Sequence, residues 1–313
     1  MLYQIIFSII SFIFFSSSLS GGFSDIPLSK TVSANFEQGQ IVKITESEYF
    51  SQAMLRVDYP EISASSAIIM DLRNDSFVFE RDPDKVWPIA SISKAMSALV
   101  LLEDFDIGWD SYYKIKESDR RFGGRDYLFL GDEVYLNDLL ALALISSENT
   151  SVIAMISFLG LSEDDFVEKM NKKAEEMGLK NSAFFDATGL SSKNVSTARE
   201  VAIILKRALN NETIRGLVSE SDYSFTTRQG KTRQIYSTND LLKQSSDGLL
   251  KYNVKIIGGK TGYNDHSGYC LGTKFVLNNN QEFISVILNA SSLRNRFVDT
   301  QKLLEKLAEL NGK

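Results

Sequence analysis

The sequence predicts an α+β fold: an antiparallel β-sheet drawn from both ends of the chain, with a helical region inserted between its parts. Three observations carry this. Two β-rich runs stand near residue 70, in "SAIIMDLRNDSFVFERD"; helical periodicities fill the middle; and past Lys251 the pattern returns to strands in "NVKIIGGKTGY", "GYCLGTKFVL" and "QEFISVIL".

Taken in order, the chain opens on an apolar run from Leu2 to Phe15, short of the ~20 residues a membrane span needs. Ser18-Leu19-Ser20 before Gly21 fits a small-x-small cleavage site, so residues 1–20 read as a signal peptide. No Lys or Arg precedes the apolar run, which leaves an uncleaved anchor as the alternative. Either reading exports the remainder, here to the periplasm. Residues 21–60 show no clear period and read as an N-terminal segment or linker; 61–313 read as one domain, with too little sequence after the last helix for another.

Within that domain, Ala67–Asp71 and Ser76–Glu80 flank Arg73-Asn74-Asp75, a hairpin signal. A helix is predicted from Ser91, and a buried apolar one over "LNDLLALALISSEN". Ser162 and Asp165 form a capping-box pair, ahead of Phe166, Met170, Ala174 and Met177 on one face and Gly178 as a stop. "STAREVAIILKRAL" is amphipathic, "NNN" turns between the last two strands, and a helix closes the chain from about Arg294 to Leu310.

At 313 residues, 43% hydrophobic and 24% charged, the composition is that of a globular protein. A net charge of −6 argues against nucleic acid as a partner. One cysteine, Cys270, excludes an intrachain disulfide and a cysteine-based zinc site; it reads as a buried strand residue. The one histidine, His266, lies among turn formers in "YNDHSGY", so a serine nucleophile would need a base other than histidine.

Three short motifs supply one: Ser91-Ile92-Ser93-Lys94, Ser147-Glu148-Asn149 and Lys260-Thr261-Gly262. Ser-x-Asn occurs four times and Ser-x-x-Lys also fits Ser111 to Lys114, but Lys-Thr-Gly occurs once. Their order and setting carry the weight, with Ser91 opening a helix behind Pro88, Ser147 ending one, and Lys260 on a strand beside glycines. Residues three apart share a helix face, so Lys94 can aim its amine at the Ser91 hydroxyl. An ordinary lysine is protonated at neutral pH and useless as a base; bringing it near neutrality takes ~3 pH units, about 4 kcal/mol. Burial and a second cation both push that way, and Lys260 is the cation the sequence offers.

With these motifs in place, the chain resembles the low-molecular-mass penicillin-binding proteins, the D-alanyl-D-alanine carboxypeptidase and endopeptidase family of serine peptidases. "FFDATGLSSKNVSTARE" (Phe184 to Glu200) and "GGKTGYNDHSGYCL" resemble segments of that family, and the likeness runs from about Ala64 to the C-terminus. "WPIASISK" and "ISSEN" are most similar to its single-domain endopeptidase members.

The resemblance implies a β-lactamase/DD-peptidase-like fold and a serine hydrolase acting through an acyl-enzyme on peptidoglycan peptide stems. Endopeptidase action on cross-links comes first and trimming of terminal D-alanine second; a β-lactamase and a wall-binding module with a degenerate site are the rivals. It implies Ser91 as nucleophile, Lys94 as base, and Ser147 as a proton relay between Lys94, Lys260 and the leaving amine. Asn149 would position Lys94 or the substrate amide, and the backbone N–H groups of Ser91 and Tyr263 would form the oxyanion hole. Lys260 and Thr261 would hold the substrate carboxylate, while Gly262 would let the substrate backbone approach the strand. Arg199 and Arg296 could assist, though both fit surface ion pairs better. β-Lactams would be covalent inhibitors; no cofactor, metal or stable protein partner is implied.

Overall fold

The computed structural model describes residues 31–35, 41–45, 53–54, 57–246, 254–277 and 279–311. The signal peptide predicted over 1–20 lies outside these residues. In the segment read as a linker, β1 (Thr31–Asn35) and β2 (Ile41–Thr45) pair as an antiparallel hairpin that forms a unit of its own. Later in that segment Met54, Val57 and Tyr59 pack into the core of the second unit, residues 50–313.

That unit begins with the expected hairpin, β3 (Ser66–Asp71) and β4 (Ser76–Arg81), turning through Asp75 at φ 60°. Strand β5 (Trp87–Pro88) leads into a 3₁₀ turn, Ala90–Ile92, and helix α1 (Ser93–Glu103). Strands β6 (Tyr112–Lys114) and β7 (Glu133–Tyr135) pair, and α2 (Leu136–Ala141) runs into one π-helical turn, Leu142–Ser146. Helices α3 (Asn149–Phe158) and α4 (Glu163–Glu176) follow. The latter starts on the predicted capping box, the Asp165 N–H donating to Ser162 Oγ at 3.1 Å. Strand β8 (Val195–Ser196) pairs with β5 and precedes α5 (Ala198–Asn210) and α6 (Glu212–Ser219).

Next come β9 (Asp222–Thr226), β10 (Thr232–Tyr236) and α7 (Asp240–Ser246), then β11 (Lys255–Asn264), β12 (Gly268–Val276), β13 (Glu282–Ala290) and α8 (Asn295–Asn311). The β9–β10 hairpin interrupts a region whose sequence reads as helical. Each of its strands buries a single residue, Phe225 or Ile235, too little alternation to read.

The central sheet has the order β11-β12-β13-β3-β4, and every neighbouring pair is antiparallel. Strand β3, from the start of the domain, is thus closed against β13 from its end. Period-2 alternation sends Ile68 and Met70 into the core beneath α1, α3, α4 and α5, and Ala67 and Ile69 into the core beneath α8. Both faces are covered, which is why the middle of β3, Ala67 to Met70, is an unbroken apolar run. Each buried Ile or Leu is worth about 1.5–3 kcal/mol, and a one-residue slip would exchange the two faces, so the register is fixed. Of the two edge strands, β4 and β11, the latter lies against the turn that opens α1.

Candidate active site

The turn carrying Ser91 is set between two glycines from distant sequence. A Cβ on Gly189 would lie 2.0 Å from the Ala90 carbonyl oxygen and 2.7 Å from the Ser91 nitrogen. Gly189 also has φ +85°. A Cβ on Gly262 would lie 2.6 Å from the Ile89 carbonyl oxygen. The missing side chain of Gly262 therefore admits the nucleophile's own turn. Ala90, fully buried between them, is held at φ 46°. A left-handed alanine costs on the order of 1–3 kcal/mol and persists only where its surroundings impose it.

Lys94, in the first turn of α1, is 1% exposed. Its Nζ lies 3.0 Å from Ser91 Oγ, 2.7 Å from Asn149 Oδ1 and 2.7 Å from the Thr188 carbonyl oxygen. The Asn149 amide is oriented by its Nδ2, which donates to the Gly123 carbonyl at 2.6 Å. Asn149 Oδ1 and Thr188 O can only accept. A neutral Lys94 has two N–H groups, both taken by these acceptors, and its lone pair is left for the Ser91 hydroxyl.

The amine is neutral often enough to act so: its pKa falls from 10.5 to about 7. Burial is the leading cause, and the Asp186 and Glu148 carboxylates pull the other way. The expectation that Lys260 supplies the depressing cation is corrected here. Lys260 is itself 2% exposed, and its pKa is driven well below the ordinary value, first by burial and then by the charges of Lys94 and Arg296. Of the two expected causes, burial is the one that lowers Lys94, and it is also the leading cause for Lys260.

Ser147 ends the π-helical turn in the left-handed region, at φ 63°. Such turns mark functional positions inside helices, and this one delivers Ser147 to Lys260, whose Nζ donates to Ser147 Oγ at 2.7 Å and to the Thr261 carbonyl at 3.2 Å. No hydrogen bond joins Ser147 to Lys94 among the described residues. The hydroxyls are partitioned, Ser91 with Lys94 and Ser147 with Lys260, where the sequence expectation had Ser147 serve both lysines. Thr261 Oγ1 lies 2.6 Å from Thr238 Oγ1. Tyr263 lines the mouth, its ring stacked on Tyr269 at 4.4 Å and its hydroxyl donating to Asp265 at 3.0 Å.

The residues that the motifs do not reveal come mainly from one loop. Asp186 Oδ1 accepts from Thr188 N and Oγ1 and from Gly189 N, each at 2.7 Å, and its Oδ2 accepts from Ser191 N at 2.7 Å. This hub aims the Thr188 carbonyl at Lys94 and presses Gly189 on the Ser91 turn. The conspicuous Asp-Ala-Thr-Gly-Leu run was the signal for it.

The two arginines part company. Arg199 binds Asp84 at 2.7 Å and Glu80 at 2.8 Å, a peripheral ion-pair residue as expected. Arg296 corrects its expectation: it is 6% exposed, lines the cleft, donates to the Gly262 carbonyl at 3.4 Å and lies 4.7 Å from the centre of the Phe297 ring. Its Nε has no partner. No feature of sequence spacing marks that isolation.

Ser91, Ser147, Asn149, Thr261, Tyr263 and Arg296 line one cleft of about 610 Å³. Cys270 is buried in β12, and burial pushes its thiol up to about 11, so it offers no thiolate at neutral pH.

Comparison with known proteins agrees with this arrangement. The family model described as D-alanyl-D-alanine carboxypeptidase matches residues 53–292. The chain is 32% identical over 247 residues to a D-alanyl-D-alanine endopeptidase of Escherichia coli (strain K12), covering 78% of this chain and 77% of that protein. Its fold is similar to that of the Streptomyces K15 DD-transpeptidase, with a TM-score of 0.71 and 25% identity over 79% of this chain and 98% of the other. It is also similar to penicillin-binding protein D2 of Listeria monocytogenes in its cefotaxime-bound form, with a TM-score of 0.68 and 28% identity over 80% and 98%. The chain belongs to the D-alanyl-D-alanine carboxypeptidase family of peptidases.

Proposed function

We propose that this protein is a serine DD-peptidase of the cell wall that hydrolyses D-Ala–D-amino acid bonds in peptidoglycan, acting first as an endopeptidase on cross-links. The observation that carries the reading is the buried Lys94 amine, its Nζ 3.0 Å from Ser91 Oγ and 2.7 Å from each of two oxygens that can only accept, Asn149 Oδ1 and the Thr188 carbonyl.

In the proposed reaction Ser91 Oγ attacks the D-alanyl carbonyl carbon as its proton passes to Lys94. The backbone N–H groups of Ser91 and Tyr263 receive the developing oxyanion, each such donor being worth about 3 kcal/mol. The C–N bond then breaks; Ser147, holding Lys260, hands a proton to the leaving nitrogen and recovers one through the lysines. Water hydrolyses the Ser91 ester, with Lys94 again as base. The carboxylate beside the scissile bond falls to Thr261 and Arg296, whose guanidinium is buried beside the cleft and makes no close ion pair among the described residues, the Asp240 carboxylate of the same cleft acting on it only through its charge. A substrate carboxylate would relieve that isolation, and charge-assisted pairs are strong when water is excluded.

Cross-link cleavage is placed first because the 32% identical Escherichia coli relative is a D-alanyl-D-alanine endopeptidase. Removal of terminal D-alanine is the second reading, favoured by the description of the matching family. A periplasmic location follows from the N-terminal apolar run; no helix among the described residues is long and apolar enough to cross a membrane. Incubation with purified cross-linked muropeptides and with a free pentapeptide tests the assignment. Release of monomers from the cross-linked species is expected, and turnover of the pentapeptide alone would overturn the endopeptidase reading.

A further inference from the structure

One buried acid has no role in the chemistry above. Glu148 stands between Ser147 and Asn149, the two residues of its motif that meet the lysines, and it is 2% exposed. A glutamate is rarely enclosed so fully without a compensating partner. Its place is the junction of two elements. The Glu148 N–H donates to the Leu142 carbonyl at 3.1 Å, across the π-helical turn, and its Oε2 caps α3 by accepting from the Ser151 N–H at 2.5 Å. The Ser151 hydroxyl in turn donates to the Glu148 carbonyl at 2.9 Å.

The groups that hold Lys94 carry no charge: Ser91 Oγ, Asn149 Oδ1 and the Thr188 carbonyl. On taking the Ser91 proton, the enclosed amine becomes an ammonium, and a buried charge without an opposite one is costly. The carboxylates whose charges act on it are Asp186 and Glu148. Asp186 is already ringed by the donors of its own loop. Burial pushes the Glu148 carboxyl up, while Ser151, Lys94 and Thr150 pull it down. Lys260 meets the same motif through Ser147, at 2.7 Å. Charged groups on the elements around the junction have partners of their own: Asp138 of α2 with Tyr223 at 2.6 Å, Arg233 of β10 with Asp132 at 2.5 Å, and Arg121 with Glu163 at 2.8 Å. Arg215 of α6 pairs with Glu212 at 3.8 Å, and Asp119 accepts from Ser157 at 2.8 Å.

We propose that Glu148 is a positioning residue for acylation: its carboxylate caps α3 so that Ser147 and Asn149 meet the two lysines, and its negative charge offsets the positive charge that Lys94 gains from Ser91. The assignment rests on the peptidase reading and deepens it. As the bond from Ser91 Oγ to the carbonyl carbon forms, the hydroxyl proton moves to Lys94 Nζ; Glu148 neither gives nor takes a proton. A serine or an aspartate would cap a helix as well. The cap alone therefore does not call for a long acidic side chain enclosed in the core, whereas the charge does.

The test compares acylation by a fluorescent penicillin, as a function of pH, in the wild type, Glu148→Gln and Glu148→Asp. Glu148→Gln keeps the shape and an acceptor for the Ser151 N–H and removes the charge. It is expected to lower the plateau rate about fivefold and to move the rising limb down by about half a pH unit, since losing an anion makes the amine a weaker base. Glu148→Asp keeps both charge and cap, so its limb should stay at the wild-type position. A limb unmoved in Glu148→Gln, or moved equally in both variants, overturns the assignment of Glu148 alone. Should Glu148→Gln fail to fold, carbon-13 NMR of the wild-type glutamate carboxyls decides. The signal absent from Glu148→Asp is expected to be that of an ionised group at pH 8, and a protonated carboxyl there overturns the proposal. A wild type that forms no adduct on Ser91 and hydrolyses neither cross-linked muropeptides nor a pentapeptide overturns the peptidase reading, and the role of Glu148 with it.

Discussion

The Lys94 amine lies 2.7 Å from the Thr188 carbonyl oxygen, a residue ninety-four positions farther along the chain. The contact matters because a carbonyl cannot donate. Together with Asn149 Oδ1 it can occupy both N–H groups of the amine in its uncharged form, which would leave the lone pair for the Ser91 hydroxyl 3.0 Å away. Position and protonation state are thus set by the same groups.

Asp186→Asn perturbs both at once, each with its own readout. The carboxylate anchors the Thr188 loop and also holds the Lys94 amine up by its charge. Its neutralisation should slow acylation by a fluorescent penicillin about tenfold, the scale of losing 1–2 kcal/mol of charge-assisted hydrogen bonding. It should also move the rising limb of the rate–pH profile to lower pH, since removing an anion lowers an amine's pKa. A limb displaced to higher pH would contradict the charge argument.

Gly189→Ala tests the packing of that loop on the nucleophile. The added methyl meets the Ala90 carbonyl and demands a left-handed alanine. A loss of about 3 kcal/mol in urea unfolding is expected, with acylation reduced beyond the loss of folded protein. Wild-type stability and rate would show that the turn has slack the contact denies.

Stability should depend on pH through the buried amines. The folded pKa of Lys94 is about 7 against an ordinary 10.5, so between these values the unfolded chain binds the proton and the folded one does not. Stability from this group therefore rises with pH from about 7 to about 10, by up to about 1.4 kcal/mol per pH unit, and the full penalty stands below 7. Lys94→Met should show a flatter unfolding free energy across pH 7–9, with Lys260 still contributing a slope of the same sign. Parallel curves for the two proteins would mean that Lys94 keeps its proton.

Arg296→Leu should reduce kcat/KM for peptides with a free C-terminal carboxylate about 30-fold, the worth of a charge-assisted hydrogen bond of ~2 kcal/mol, and should do little to the matching C-terminal amides. An equal loss on both would assign Arg296 to holding the Gly262 carbonyl instead.

Much of this site could be read before folding was considered, because its chemistry is written in short motifs. Ser91 and Lys94 sit one turn apart on one helix, so their meeting is local and legible. Their meeting with Asn149 and Lys260 was legible only through the order and setting of the motifs. The Thr188 carbonyl was not, because a backbone oxygen has no residue type to betray it. Gly262 could be singled out but not explained, since what a missing Cβ admits depends on the segment folded against it, here Ile89. Burial lowers Lys94 against the pull of the Asp186 and Glu148 carboxylates, a balance that sequence cannot supply because it depends on how completely the amine is enclosed. The main strands were visible through their apolar runs. The β9–β10 hairpin was not, because each of its strands buries only one residue.

The most direct measurement is the rate of acylation by a β-lactam as a function of pH, with the modified residue mapped by mass spectrometry. A dehydrated Lys94 acting as base predicts an adduct on Ser91 and a rate that climbs through a midpoint near pH 7 to a plateau. An adduct elsewhere, or a rate still climbing toward pH 10 as for an ordinary lysine, would contradict it.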